Sequence, residues 1–239
     1  MLPGVLVVAI LGISQVAARQ APPPTTPVRR LAPGVNGPTG PAATVEKIGD
    51  NLLRLGSIEI DTLHRSLTVS GRSNDVTTLE FVANTQGGMK AYESALTLET
   101  TGVKFNTALM LIGLDPAHAR RPSHALDQTP PAGDAVEITV EWVRGGEHVR
   151  IGADELIYDA PARTVLTGTK WVYTGSAFIA QVGYLADLDG VLIGFVHSPS
   201  PVIESPRGLG NRRYGDLVLN PALRLTPGTL VKLTIRAVQ

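Results

Sequence analysis

Val136-Glu137-Ile138-Thr139-Val140-Glu141-Trp142 alternates apolar with polar side chains along its whole length. Successive side chains of a strand point to opposite faces, so this stretch reads as a strand with one face buried, and Trp142 falls on the buried face. Gly145-Gly146 follows and supplies the positive φ angles of a tight hairpin, with Val149 and Ile151 returning on the next strand. The same period recurs in Ile58-Glu59-Ile60-Asp61 and in Leu67-Thr68-Val69-Ser70, joined by a connection short enough for a second hairpin. It closes the chain, where Val231, Leu233 and Ile235 alternate with Lys232, Thr234 and Arg236.

Between these anchors, residues 79–83, 91–98, 171–179 and 182–186 read as further strands, with Gly87-Gly88 as the turn separating the first two. Residues 191–196 form an apolar run suited to a strand buried on both faces. One segment breaks the period. Phe105, Ala108, Leu109 and Ile112 fall at i, i+3, i+4 and i+7, one stripe of an α-helix. Thr101 is placed to cap its start; Gly113 suits a left-handed C-terminal cap, and Pro116 blocks continuation. The expected fold is mostly β with one short α-helix, either a β-sandwich or a partly open barrel. Two connections, residues 115–135 and 197–216, are long for a compact domain and are the places to look for a site.

The chain has 239 residues, 43% hydrophobic and 18% charged, a balance that supports a folded core. Lys plus Arg and Asp plus Glu both total 21, so the basic excess expected of a nucleic-acid binder is missing. There is no cysteine. That removes disulfides, thiolate nucleophiles, Cys-ligated zinc, Fe–S clusters and acylated-cysteine lipid anchors together.

Residues 2–13 are apolar, interrupted by Pro3 and Gly4 near the start and by Gly12, and Val16-Ala17-Ala18 suits cleavage by a signal peptidase after Ala18. Residues 1–18 therefore read as a signal peptide, residues 19–44 as a disordered proline-rich linker and residues 45–239 as a single β-rich domain, exported to the periplasm or beyond. No Lys or Arg precedes the apolar run, and the competing reading is an uncleaved N-terminal membrane anchor. With the signal removed, no stable membrane insertion is expected.

Several groups are candidates for chemistry. Lys90, Tyr92 and Ser94 would share one face of an extended strand beside the Gly87-Gly88 turn, with Glu93 on the other. Lys90 and Tyr92 would then touch a ligand, with Glu80 nearby, while Glu93 would meet a basic group inside; the plainer alternative makes Glu93 a buried, paired anchor. The long connections carry Arg120, Arg121, Arg207, Arg212 and Arg213, of which Arg212 and Arg213 are the candidates for binding carboxylate or phosphate groups. Trp171 is a candidate stacking surface. His64, His118, His124, His148 and His197 form no HExxH, and solvated loop histidines are the plainer reading. No metal ligand set, cofactor site or catalytic residue is named by any motif. Ser176 follows Gly175 without the second glycine of a nucleophile elbow.

An ordered set of segments runs through the middle of the chain: Lys90-Ala91-Tyr92-Glu93-Ser94-Ala95-Leu96, Ala108-Leu109-Met110-Leu111-Ile112-Gly113-Leu114, Val140-Glu141-Trp142, Lys170-Trp171-Val172-Tyr173-Thr174-Gly175-Ser176, Tyr184-Leu185-Ala186-Asp187 and Asp189-Gly190. In order and spacing, residues from about 79 to 198 resemble the YdjY-domain family of exported bacterial proteins. The resemblance carries no established activity. Some members are encoded with or joined to ferredoxin-type proteins, but without cysteine this chain would hold no such cluster itself. The function expected is a binding or interaction module of the cell envelope, with an unknown envelope ligand or protein partner. The alternatives are a hydrolase using Glu80 or Glu93 with a loop histidine, and a structural assembly module.

Overall fold

The computed structural model describes residues 44–238. The expected signal peptide, and the linker up to residue 43, lie outside the described residues. The strands are β1 (Val45–Lys47), β2 (Leu52–Leu55), β3 (Ile58–Asp61), β4 (Ser66–Ser73), β5 (Phe81–Thr85) and β6 (Ser94–Leu98). Helix α1 (Gly102–Leu111) comes next, then β7 (Ala135–Arg144), β8 (Glu147–Gly152), β9 (Ile157–Asp159), β10 (Thr164–Val165) and β11 (Trp171–Tyr173). The chain ends with β12 (Phe178–Ile179), β13 (Gly183–Tyr184), the single turn α2 (Leu185–Leu188), β14 (Val191–Gly194), β15 (Ile203–Glu204), β16 (Leu217–Leu219) and β17 (Leu230–Ala237).

Neighbouring strands run β4-β17-β7-β11-β15-β14-β5-β6, and β6 pairs back onto β4, so eight strands close into a barrel. Strands β1 to β3 extend the sheet from the first half of β4, and β8 from β7. Closure happens at Gly71. There β4 leaves β3 and takes β6 as its partner, with Gly71 opposite both Leu98 and Val231. A Cβ at this position would lie 2.5 Å from the Thr97 carbonyl oxygen, so only glycine lets the two backbones meet.

The period-two pattern fills the interior. Val136, Ile138, Val140 and Trp142 of β7 are buried, as are Val231, Leu233 and Ile235 of β17, registered across from them. Helix α1 is where its stripe places it: Phe105, Ala108, Leu109 and Ile112 are buried, Thr101 Oγ1 accepts from the Lys104 N–H at 3.3 Å, and Gly113 has φ +89°. The β7–β8 hairpin turns on Gly145 and Gly146 at φ +59° and +89°.

Three local expectations are corrected. Residues 171–179 are not one strand; the backbone leaves β11 at Thr174, whose N–H donates to the Val202 carbonyl, and pairs again only in the β12–β13 hairpin. Residues 185–186 are helical rather than extended, because α2 turns Asp187 back to accept from the Gly102 and Val103 N–H groups at the start of α1. The Gly87-Gly88 turn does not fold β6 back on β5. Those two strands are parallel, and so are β14 and β15. Each of these parallel pairs is joined by a connection shorter than the usual crossover.

Candidate functional site

Lys90, Tyr92 and Glu93 do not sit on a strand. Residues 91–93 form a 3-10 turn, in which side chains three apart eclipse, so Lys90 and Glu93 come together instead of facing apart. Lys90 Nζ lies 2.6 Å from Glu93 Oε1, and the Glu93 side chain is buried. Lys90 also donates to the Tyr92 hydroxyl at 3.3 Å and lies 5.6 Å from the centre of its exposed ring. The hydrogen bond to Glu93 holds the Lys90 ammonium charged well above its ordinary range. Glu80 joins the group through its backbone, its N–H donating to the Glu93 carbonyl at 2.9 Å. Burial, then the Glu93 charge, pushes the Glu80 carboxyl up, with Lys90 opposing. Glu93 is thus the paired anchor of its segment, and Lys90 is largely committed to it.

The two long connections meet, and they meet at His197. That ring is buried, with Nδ1 2.8 Å from the Asp127 carbonyl and Nε2 3.1 Å from the Ser205 carbonyl, while the Leu126 N–H donates to the His197 carbonyl at 2.7 Å. His197 is therefore an internal staple, not a solvated loop histidine. Asp127 is held well below the usual carboxylate range, first by the Ser123 N–H and then by the Thr129 N–H. Beneath this junction sits Glu204, fully buried in β15. Its Oε1 accepts from the Ser198 N–H at 2.9 Å, while Oε2 is buried without a hydrogen-bond partner, and burial raises the carboxyl from 4.5 to about 8.

The remaining sequence candidates are dispersed. Trp171 is buried in the core and offers no open ring for stacking. Arg213 donates to Asp159 at 2.8 Å and to Asp216 at 3.3 Å, tying its loop to β9, whereas Arg212 is exposed. Arg121 donates to the Thr174 carbonyl and Arg120 to the Pro130 carbonyl, so these arginines serve separate partners. His64 bonds Asp61 and His118 bonds Asp134, each at 2.7 Å. Among the described residues, no group of three or more His, Asp or Glu is placed to hold a metal ion.

What sequence reasoning missed is a surface. Helix α1, α2 and the β12–β13 hairpin form one layer: Asp187 bonds the start of α1, the Leu185 N–H donates to the Ala177 carbonyl at 2.9 Å, and Tyr173 donates to Asn106 of α1 at 2.7 Å. On this layer Val103, Met110, Phe178, Ile179, Val182 and Leu188 are all exposed, Phe178 by 73% and Val182 by 55%. Residues 105–114 and 171–186 contain no Asp, Glu, Lys or Arg. Exposed large apolar side chains grouped on neighbouring elements, rather than scattered singly, make this layer the candidate interaction surface. The signal in the sequence was the uncharged run itself, but an apolar run reads first as core.

Residues 58–214 match the family model of the YdjY domain. The chain belongs to the YdjY-domain family. The match extends on both sides of the segments that carried the resemblance, starting at β3 and ending beyond β15. It spans α1, α2, the hairpin, the Lys90–Glu93 pair and the Glu204 junction. Strand β17, which the barrel needs between β4 and β7, lies outside it. No curated protein and no solved structure matches this YdjY-domain chain. Among its described residues no helix is long and apolar enough to cross a membrane.

Proposed function

We propose that this YdjY domain is a non-enzymatic binding module of the cell envelope, exported there by its N-terminal segment, and that it holds its partner through the α1–hairpin face. The single observation behind this is the exposure of Phe178, Ile179 and Val182 on a hairpin within an uncharged stretch. Leaving such side chains in water forgoes roughly 1.5–3 kcal/mol for each one that could be fully buried, which a partner surface would recover in part. A hydrolase would need Glu80 or Glu93 beside a histidine. Instead Glu93 is paired with Lys90, while His64, His118 and His197 bond elsewhere.

The test is site-specific photo-crosslinking in intact cells, with the reactive residue replacing Phe178 or, as a control, Glu59 on the polar outer face of the sheet. Adducts should form from position 178 and not from position 59. Equal labelling from both positions, or none from 178, would refute the assignment.

A further inference from the structure

Where the two long connections meet, the chain makes a hydrogen-bonding demand that a neutral histidine does not satisfy. His197 is 3% exposed, and each of its ring nitrogens faces a carbonyl oxygen. Nδ1 lies 2.8 Å from that of Asp127, on the connection 115–135, and Nε2 lies 3.1 Å from that of Ser205, on the connection 197–216. A carbonyl only accepts, so each contact needs a proton on the nitrogen. A neutral imidazole carries one N–H and turns a lone pair toward the other carbonyl, whereas the imidazolium donates to both. The backbone closes over the ring: a Cβ on Gly208, whose φ is +53°, would lie 3.0 Å from His197 Cε1.

We propose that this junction is a proton-operated latch, in which the His197 imidazolium clamps residues 123–129 to residues 205–211 and loss of its proton frees them. The latch is independent of the hairpin face.

The surroundings leave the decision to the ring. The main chain of His197 is held whatever the ring's charge, its N–H donating to Asn211 Oδ1 at 2.9 Å and its carbonyl accepting from the Leu126 N–H at 2.7 Å. The Asp127 carboxylate is engaged in its own turn by the Ser123 and Thr129 N–H groups, so Asp127 meets the ring through its carbonyl. Charged and titratable side chains stand on every element that packs here. Arg121, His124 and Asp127 are on the first connection, Arg207 and Arg212 on the second, Glu204 on β15, and Glu80 just before β5, its carbonyl accepting from the Phe195 N–H. The ring's hydrogen bonds go to none of these side chains. Arginine keeps its proton in proteins, and Asp127 is held ionised by its turn, so Glu80, His124 and Glu204 are the groups to be separated from the ring by experiment.

The sign follows from the proton count. The closed junction uses two ring protons and the open one needs only one, so acid favours the closed form and rising pH opens it. Histidine is the side chain that ordinarily changes charge across the physiological range, which makes the latch responsive there.

The test uses the full unsubstituted chain and follows one titration, from about pH 5 to 9, by two readouts. Nitrogen-15 NMR of the His197 ring shows whether each nitrogen carries a proton. Amide hydrogen exchange, corrected for the intrinsic effect of pH, shows how far the junction is closed, with β7 amides as the reference for global unfolding. At the acid end both ring nitrogens should be protonated. As pH rises, protection of the Leu126 and His197 amides should fall about tenfold relative to β7, levelling off where the ring loses its proton. The same fall should persist in Glu80→Gln, His124→Gln and Glu204→Gln taken singly. A bare ring nitrogen at the acid end, level protection throughout, or a fall that runs on beyond the ring's titration overturns the proposal. A fall that disappears in any of the three variants overturns it too, and assigns the pH dependence to that side chain.

Discussion

Glu204 should make the domain less stable as pH rises, and Glu204→Gln should remove that dependence. The carboxyl is fully buried, Oε2 has no hydrogen-bond partner, and burial raises it from 4.5 to about 8. Below pH 4.5 it is protonated in both the folded and the unfolded chain and contributes no pH dependence. Between pH 4.5 and about 8 the unfolded chain ionises it while the folded chain does not. The unfolded state then binds one proton fewer, and stability falls by about 1.4 kcal/mol per pH unit. From pH 4.5 to 7 the loss is about 3 kcal/mol, levelling above pH 8. Other groups titrate over part of the same range: Glu80, raised from 4.5 by burial, and His118, raised from 6.5 by its hydrogen bond to Asp134, also lose stability as pH rises, whereas Asp61, Asp127 and Asp159, held below 3.8, lose it only at lower pH. The quantity to measure is therefore the difference between Glu204→Gln and wild type. Urea unfolding at pH 4.5, 5.5, 6.5 and 7.5 should show that difference growing in favour of the variant at each step. A difference independent of pH would refute the burial of an unpaired carboxyl at this position.

Other consequences follow from single contacts. Gly133→Ala would place a Cβ 1.9 Å from the Tyr173 carbonyl oxygen, where β11 adjoins the start of β7, and should cost about 3 kcal/mol in urea unfolding; an unchanged midpoint would contradict that close approach. Lys90→Met leaves Glu93 buried without its cation and should cost about 2 kcal/mol, at the low end because Lys90 is partly in water, while Lys90→Met with Glu93→Leu should recover most of it by the same measurement. Thr101→Ala removes the side-chain cap of α1 and should lower stability by about 1 kcal/mol, with faster amide hydrogen exchange in the first turn of the helix.

How legible the fold was depended on how many residues carried each pattern. In β7 and β17 an alternation several residues long survives any local accident, and α1 had a stripe, a cap and a stop that agreed. The parallel pairs were hidden because strand direction leaves no mark on period-two alternation. Strand β15 is only Ile203–Glu204, too short for any period, and its carboxylate would ordinarily place it at the surface. Lys90 and Glu93 were recognised as a group, yet the 3-10 turn that unites them reverses the faces a strand would give. His197 could not be read as a staple, since its partners Asp127 and Ser205 are brought to it by tertiary folding alone. The proposed interaction face was hidden by its own composition. An uncharged run holding Trp171 and Tyr173, which are buried, also holds Phe178 and Val182, which are not.

The claim that this exposed hairpin is the working surface is tested most directly by photo-crosslinking from position 178 in intact cells. The account predicts adducts from position 178 that vanish when Val182→Asp is added and that are absent from position 59. Adducts unaffected by the charge at position 182, or equal labelling from both positions, would contradict it.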